Sequence, residues 1–197
     1  IQKAKIKAAI RVATEIITTP RFNSLGQHVH PKVIIFASYY EVIDQLLTEL
    51  QDYNPVELTG RISEKQRERN VAAFQELSTR VNVLIGNPVV GGVGLNLHDL
   101  TKNGTLPRAM YLLLDYRANE AVQALDRTTR DGLSGKSYVR IFYGITGSTE
   151  SSIINAFIDK GKVMREMTHE QTLSGAIFPD QFEDEFEDKD EFRPSSL

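Results

Sequence analysis

The chain has 197 residues, no cysteine, 41% hydrophobic and 25% charged residues, and a formal charge of −3. This length points to one domain with room for an appendage, and the balance of apolar and charged residues excludes a wholly disordered, collagen-like or coiled-coil chain. Without cysteine there is no disulfide framework, thiol nucleophile, iron–sulfur cluster or cysteine-ligated zinc, and no apolar run approaches the ~18 residues that a membrane span needs.

The chain opens Ile1-Gln2-Lys3, with neither Met nor a signal-type apolar core, and is expected to be an excised or processed piece of an intracellular protein. Its charge is unevenly placed. Residues 178–197 carry eight acidic and two basic residues, which leaves 21 basic and 18 acidic residues in 1–177. A mildly basic body with an acidic tail is compatible with a nucleic-acid partner.

In chain order, residues 1–17 read as a helix, with Ile6, Ala9, Ile10, Ala13, Ile16 and Ile17 at helical spacing and Lys3, Lys5, Lys7 and Arg11 among the polar positions. Pro20 ends it, and 21–31 reads as a loop, with His28-Val29-His30 on its surface. Lys32–Phe36 is a continuous apolar run, the pattern of a strand buried on both faces. Helix 39–51 follows, placing Val42, Ile43, Leu46, Leu47 and Leu50 on one face, with Tyr39 and Tyr40 expected to pack. A short strand, 56–59, leads to Gly60 and a helix from Ser63 to Leu77. There Ser63-Glu64-Lys65-Gln66 reads as a capping box. Strand 81–85, the glycine-rich segment Gly91-Gly92-Val93-Gly94, strand 109–114, helix 118–130, strand 137–143 and helix 149–166 complete the series. Five strands separated by helices imply an α/β fold, a parallel sheet with helices on both faces. The expected organisation is an N-terminal helix and linker over 1–31, the α/β lobe over 32–166 and a flexible acidic tail over 167–197.

Ligands of such sheets sit outside the carboxyl ends of the strands, which directs attention to the loops after Phe36, Thr59, Ile85 and Leu114. Gly91-Gly92-Val93-Gly94-Leu95-Asn96-Leu97 is either a tight turn or a backbone cradle for an anion. It lacks the third glycine of a dinucleotide fingerprint, which disfavours a nucleotide-dependent oxidoreductase. Gly135-Lys136-Ser137 mimics the end of a P-loop, but Arg130 stands where the first glycine belongs and a strand follows where a helix should. Gln123, Arg127 and Arg130, at i, i+4 and i+7, share one helix face. Two guanidinium forks and an amide aimed one way suit a polyphosphate; a solvated face with an Asp126–Arg130 pair is the other reading. In the tail, Phe178, Phe182 and Phe186 recur every four residues among carboxylates. The segment is either a solvated tail or an anionic competitor for the basic body.

Together these motifs resemble the second RecA-like lobe of superfamily 2 helicases and translocases, over about residues 32–165. The resemblance implies that Ser38, Thr59, Gly60 and Asn87 touch a nucleic-acid backbone. It also implies that Gly92, Gly94 and Asn96 face a nucleotide, and that Gln123, Arg127 and Arg130 act catalytically on ATP, the arginines as fingers. Gly91–Leu97, Gln123–Gly132 and Gly147–Ile153 look like Swi/Snf-type double-stranded DNA translocases. Leu97-His98-Asp99, Pro107-Arg108 and the Tyr116-to-Gln123 spacing look closer to the strawberry-notch and viral branch. Asn87-Pro88 stands where the family usually has a Ser-Thr pair. A P-loop and an Asp-Glu box, which belong to the first lobe in this family, do not precede the motifs. The expected partners are therefore a first RecA-like lobe and nucleic acid, double-stranded DNA by resemblance, with no membrane. ATP would lie between the lobes, its Mg2+ held mainly by the first. A catalytically inactive binding lobe is the alternative.

Overall fold

The computed structural model describes residues 2–22, 26–29, 31–76, 80–91, 97, 106–113 and 138–142. The helices read over 118–130 and 149–166, and the acidic tail, lie outside the described residues. Five strands form one parallel sheet: β3 (Lys32–Phe36), β4 (Val56–Leu58), β5 (Val83–Gly86), β6 (Arg108–Leu113) and β7 (Tyr138–Phe142), in the order β4-β5-β3-β6-β7. The parallel α/β class expected from the alternating pattern is the class observed. β3 and β6 are buried at every position, the apolar runs that follow Lys32 and Arg108 and those two charged residues alike.

Alternation along the strands sorts two faces. Val33, Ile35, Val83, Ile85, Ala109, Tyr111 and Leu113 join the core beneath α1 (Gln2–Thr18) and α2 (Tyr40–Glu49). Ile6, Ala9, Val12, Ala13 and Ile16 make the buried stripe of α1, so this helix is a layer of the core. Lys5, expected among the polar positions, is buried instead; a helix lying flat on a sheet covers the stems of its flanking lysines. α2 ends earlier than expected and passes into a 3-10 turn, Gln51–Tyr53, closed by Asn54 in the left-handed region at φ 48°. Asn tolerates that region because its short amide bonds locally.

The opposite face carries α3 (Glu64–Gln75), whose one buried residue is Phe74. Ser63 Oγ accepts from the Gln66 N–H at 3.2 Å, but only half of the expected capping box forms. The Gln66 amide turns forward and donates to Asn70 Oδ1 at 2.8 Å, the neighbour one turn on. α3 is sewn to β4 by Asn70 Nδ2 on the Glu57 carbonyl (2.7 Å) and by Arg67 on the carbonyls of Ile62 (2.7 Å) and Thr59 (3.4 Å). Residues 21–31 are not wholly a loop. β1 (Arg21–Phe22) and β2 (His28–Val29) pair antiparallel, and the His28 ring meets Phe22 edge-on at 5.1 Å. No helix among the described residues is long and apolar enough to cross a membrane.

At the amino end of the sheet, Lys32 and Arg108 are both fully buried around the Phe74 ring, at 5.5 and 4.9 Å from its centroid. Lys32 Nζ donates to the carbonyls of Phe74 (2.7 Å) and Glu76 (2.6 Å), groups the last turn of α3 leaves without helical partners. Burial, helped by the neighbouring Arg108 charge, pushes the Lys32 ammonium from 10.5 down to about 8. Between those values the unfolded chain keeps a proton that the folded chain has released, so stability climbs as pH rises. Measured against Lys32→Met, the wild-type unfolding free energy should be flat below pH 8 and then gain up to about 1.4 kcal/mol per pH unit until pH reaches 10.5.

Gly86 marks the tightest approach in the sheet. A Cβ there would stand 2.8 Å from the Leu58 carbonyl and 3.3 Å from the Phe36 ring, whereas at Gly60 the nearest atoms are 3.7 and 3.8 Å away. Gly86→Ala should therefore cost about 1–3 kcal/mol, as overpacking does, and Gly60→Ala should leave the denaturation midpoint nearly unchanged.

Candidate nucleic-acid interface

The chain leaves β3 toward β4, and every later step across the sheet runs the other way. Right-handed crossovers then leave opposite faces, opening a crevice at the carboxyl end of β3. Ser38, Thr59, Gly60 and Asn87 all follow strand ends on this rim, and Asn87 joins them. Its N–H donates to the Leu58 carbonyl at 3.0 Å, its Nδ2 to the Ser38 carbonyl at 3.1 Å, and its Oδ1 accepts from the Val89 N–H at 3.0 Å. One residue thus ties the ends of β3, β4 and β5 and caps the short helix α4 (Pro88–Gly91). Asn before Pro suits that cap, since proline at the first helical position has no N–H to satisfy.

Burial separates roles within the group. Thr59 is fully buried and its hydroxyl donates to Glu57 Oε1; Ser38 and Asn87 are mostly buried at 8% and 7% exposure. Gly60 is exposed, between Val90 and the Tyr40 hydroxyl. The exposed part of the rim is therefore the backbone around Gly60, with Asn87 setting the spacing of the loops. Tyr39 and Tyr40, expected to pack, are 47% and 43% exposed. The buried face of α2 is made by Val42, Ile43 and Leu46, and the two tyrosines stand at its start, beyond that face.

Sequence reasoning passed over Arg61. Its guanidinium pairs with Glu57 through Nε at 2.6 Å and Nη2 at 3.1 Å, bonds Asp44, and lies 5.3 Å from the Tyr40 ring centroid. The Arg61 hydrogen bond holds the Asp44 carboxyl below its usual range. Two carboxylates thus engage the cation nearest Gly60. A Glu four residues before Arg61 is the local signal that was available; Asp44 lies 17 residues away. Gly92, Gly94, Asn96, Gln123, Arg127 and Arg130 lie outside the described residues. Among the described residues no group of three or more His, Asp or Glu is placed to hold a metal ion.

Asn87→Asp keeps an oxygen for the Val89 N–H but sets a carboxylate against the Ser38 carbonyl, which loses its donor. This substitution should cost about 1–3 kcal/mol in chemical denaturation, and should do so more than Gln45→Glu on the exposed side of α2.

Comparison with known proteins places this geometry. Residues 11–132 match the helicase conserved C-terminal domain. The RAD54-like DNA repair and recombination protein of Drosophila persimilis is 26% identical over 156 residues, covering 78% of this chain and 18% of that protein. The DNA repair protein RAD5 of Cryptococcus neoformans is 29% identical over 145 residues, 68% of this chain and 11% of that protein. The chain thus spans less than a fifth of the length of these relatives. The C-terminal part of the Fun30 ATPase domain shares the fold, with a TM-score of 0.59 at 23% identity over 77% of this chain and 44% of that one. Of the two branches that the motifs resemble, the similarity to these two DNA repair proteins falls on the Swi/Snf-like side. A match over more than half of its residues shows that the chain, with its parallel sheet ordered β4-β5-β3-β6-β7, belongs to the helicase conserved C-terminal domain family.

Proposed function

We propose that the chain is the second motor lobe of an ATP-dependent helicase or translocase that moves along nucleic acid, double-stranded DNA in the Swi/Snf manner. The observation that carries this reading is the convergence of Ser38, Gly60 and Asn87 on one rim, at the switch point of the sheet, in a chain of this family. Backbone groups around Gly60 and the Ser38 loop grip the phosphate backbone; Thr59 and Asn87 hold those loops in place. ATP binds between this lobe and a first RecA-like lobe that supplies the P-loop and most of the Mg2+ ligands. Gly92, Gly94 and Asn96 face the nucleotide from this side, and Gln123, Arg127 and Arg130 reach its phosphates. Opening and closing of the cleft advances the two lobes along the strand. The host protein acts inside the cell, in DNA repair if it follows its named relatives.

Two measurements test this reading. The chain by itself should hydrolyse no ATP, and robust turnover by it would overturn the two-lobe arrangement. Joined to its first lobe, Arg127→Ala or Arg130→Ala should slow hydrolysis by roughly 10³ to 10⁵, the worth of arginine fingers, with nucleic-acid affinity little changed. Full activity in both variants would make the pair an ordinary solvated helix face.

A further inference from the structure

Arg108 begins β6 at the end of the sheet away from the rim, and its side chain is fully buried. Its donors diverge toward three segments. Nε donates to the Leu97 carbonyl at 2.9 Å, Nη1 to the Leu106 carbonyl at 3.2 Å, and Nη2 to Gln75 Oε1 in the last turn of α3. Leu97 closes the glycine-rich segment, and Leu106 precedes the entry into β6. One guanidinium therefore holds Leu97 and Leu106 together and fastens them to α3.

Packing alone does not call for such a residue. A guanidinium buried beside the Lys32 ammonium costs desolvation and like-charge repulsion, and an apolar side chain of equal volume fills the space more cheaply. What arginine adds is direction, because its planar fork fixes several acceptors at set angles. The far end of α3 is equally constrained. Arg67 holds the Thr59 and Ile62 carbonyls, and Asn70 holds that of Glu57, so the helix starts rigidly beside Gly60. A packed helix fixed at both ends carries a displacement as a rigid body.

We infer that Arg108 is a positioning residue: it fixes the carboxyl end of the glycine-rich segment, at Leu97, to the helix that begins at the Gly60 rim, and so couples nucleic-acid contact to the nucleotide side of the lobe. The coupling rests on the proposed function, whereas the anchor rests on the hydrogen bonds alone. Arg108→Lys separates geometry from charge. Lysine keeps the cation and the aliphatic stem but not the planar fork that holds the Leu97 carbonyl and Gln75 at set angles.

In the two-lobe protein, assayed where circular dichroism shows the variant folded, Arg108→Lys should reduce the stimulation of ATP hydrolysis by duplex DNA about tenfold, within the roughly 5- to 150-fold span of coupling between sites. The KM for ATP should stay within about twofold. An unchanged stimulation factor, or a loss that appears only as a raised KM, would overturn the coupling. Hydrogen exchange on the chain itself tests the anchor separately. The amides of Leu97 and Leu106 should exchange faster in Arg108→Lys than in wild type, while Lys32→Met, which leaves the Leu97 bond in place, should not accelerate them. Equal exchange in wild type and Arg108→Lys would overturn the anchor. If unsubstituted protein shows no DNA-stimulated hydrolysis, the motor reading and the coupling fail together, and the exchange result still decides the anchor.

Discussion

The Asn87 side chain is the constraint on which the rim depends. An amide offers a donor and an acceptor about 2.3 Å apart, and here the donor takes the Ser38 carbonyl while the acceptor takes the Val89 N–H. Its main chain holds Leu58. Loops that come from strands 20 to 50 residues apart in sequence are thereby set in register by a single residue. A serine or threonine hydroxyl at this position would cap the helix as well but lacks a donor of that reach.

The two ends of the sheet divide the work. At the carboxyl end polar groups fix loops; at the amino end Lys32 and Arg108 fix α3 and the return into β6. Both ends use charged or amide side chains on main-chain carbonyls, the bonds that are most expensive to leave unmade when buried. Between them lies an apolar layer with Val33, Ile35, Val83 and Ile85 at its centre. The polar fasteners sit at the strand tips, where they hold the described loops and helix ends to the sheet.

The sheet was legible because its strands announce themselves. Lys32–Phe36 and the run from Ala109 are apolar at every inner position, and each lies between helical patterns of ordinary length. β1 and β2, two residues each, have no period to read. The charged ends of β3 and β6 fared differently: Lys32 was read within its strand, whereas Arg108 was left outside the strand expected over 109–114. Both are interior, because Phe74 and the end of α3, more than 30 residues from either, cover them. Within the site, a parallel topology brings any strand-end loops to one rim, so Ser38, Thr59, Gly60 and Asn87 were predictable as neighbours. Their division into buried clamps and exposed backbone was not, since it follows from long-range bonds such as that of Asn87 to Ser38.

The bond from Asn70 to the Glu57 carbonyl has a consequence for association between molecules. β4 is the outermost strand on its side, and an open strand edge invites a second chain to add to the sheet. Here the strand is three residues long, its Leu58 carbonyl is spent inward on Asn87, and its outward Glu57 carbonyl is covered by a helix side chain. The Glu57–Arg61 pair adds charge beside it. Growth of the sheet by edge-to-edge pairing is closed on this side, so molecules that meet at β4 find a helix and an ion pair instead of a template.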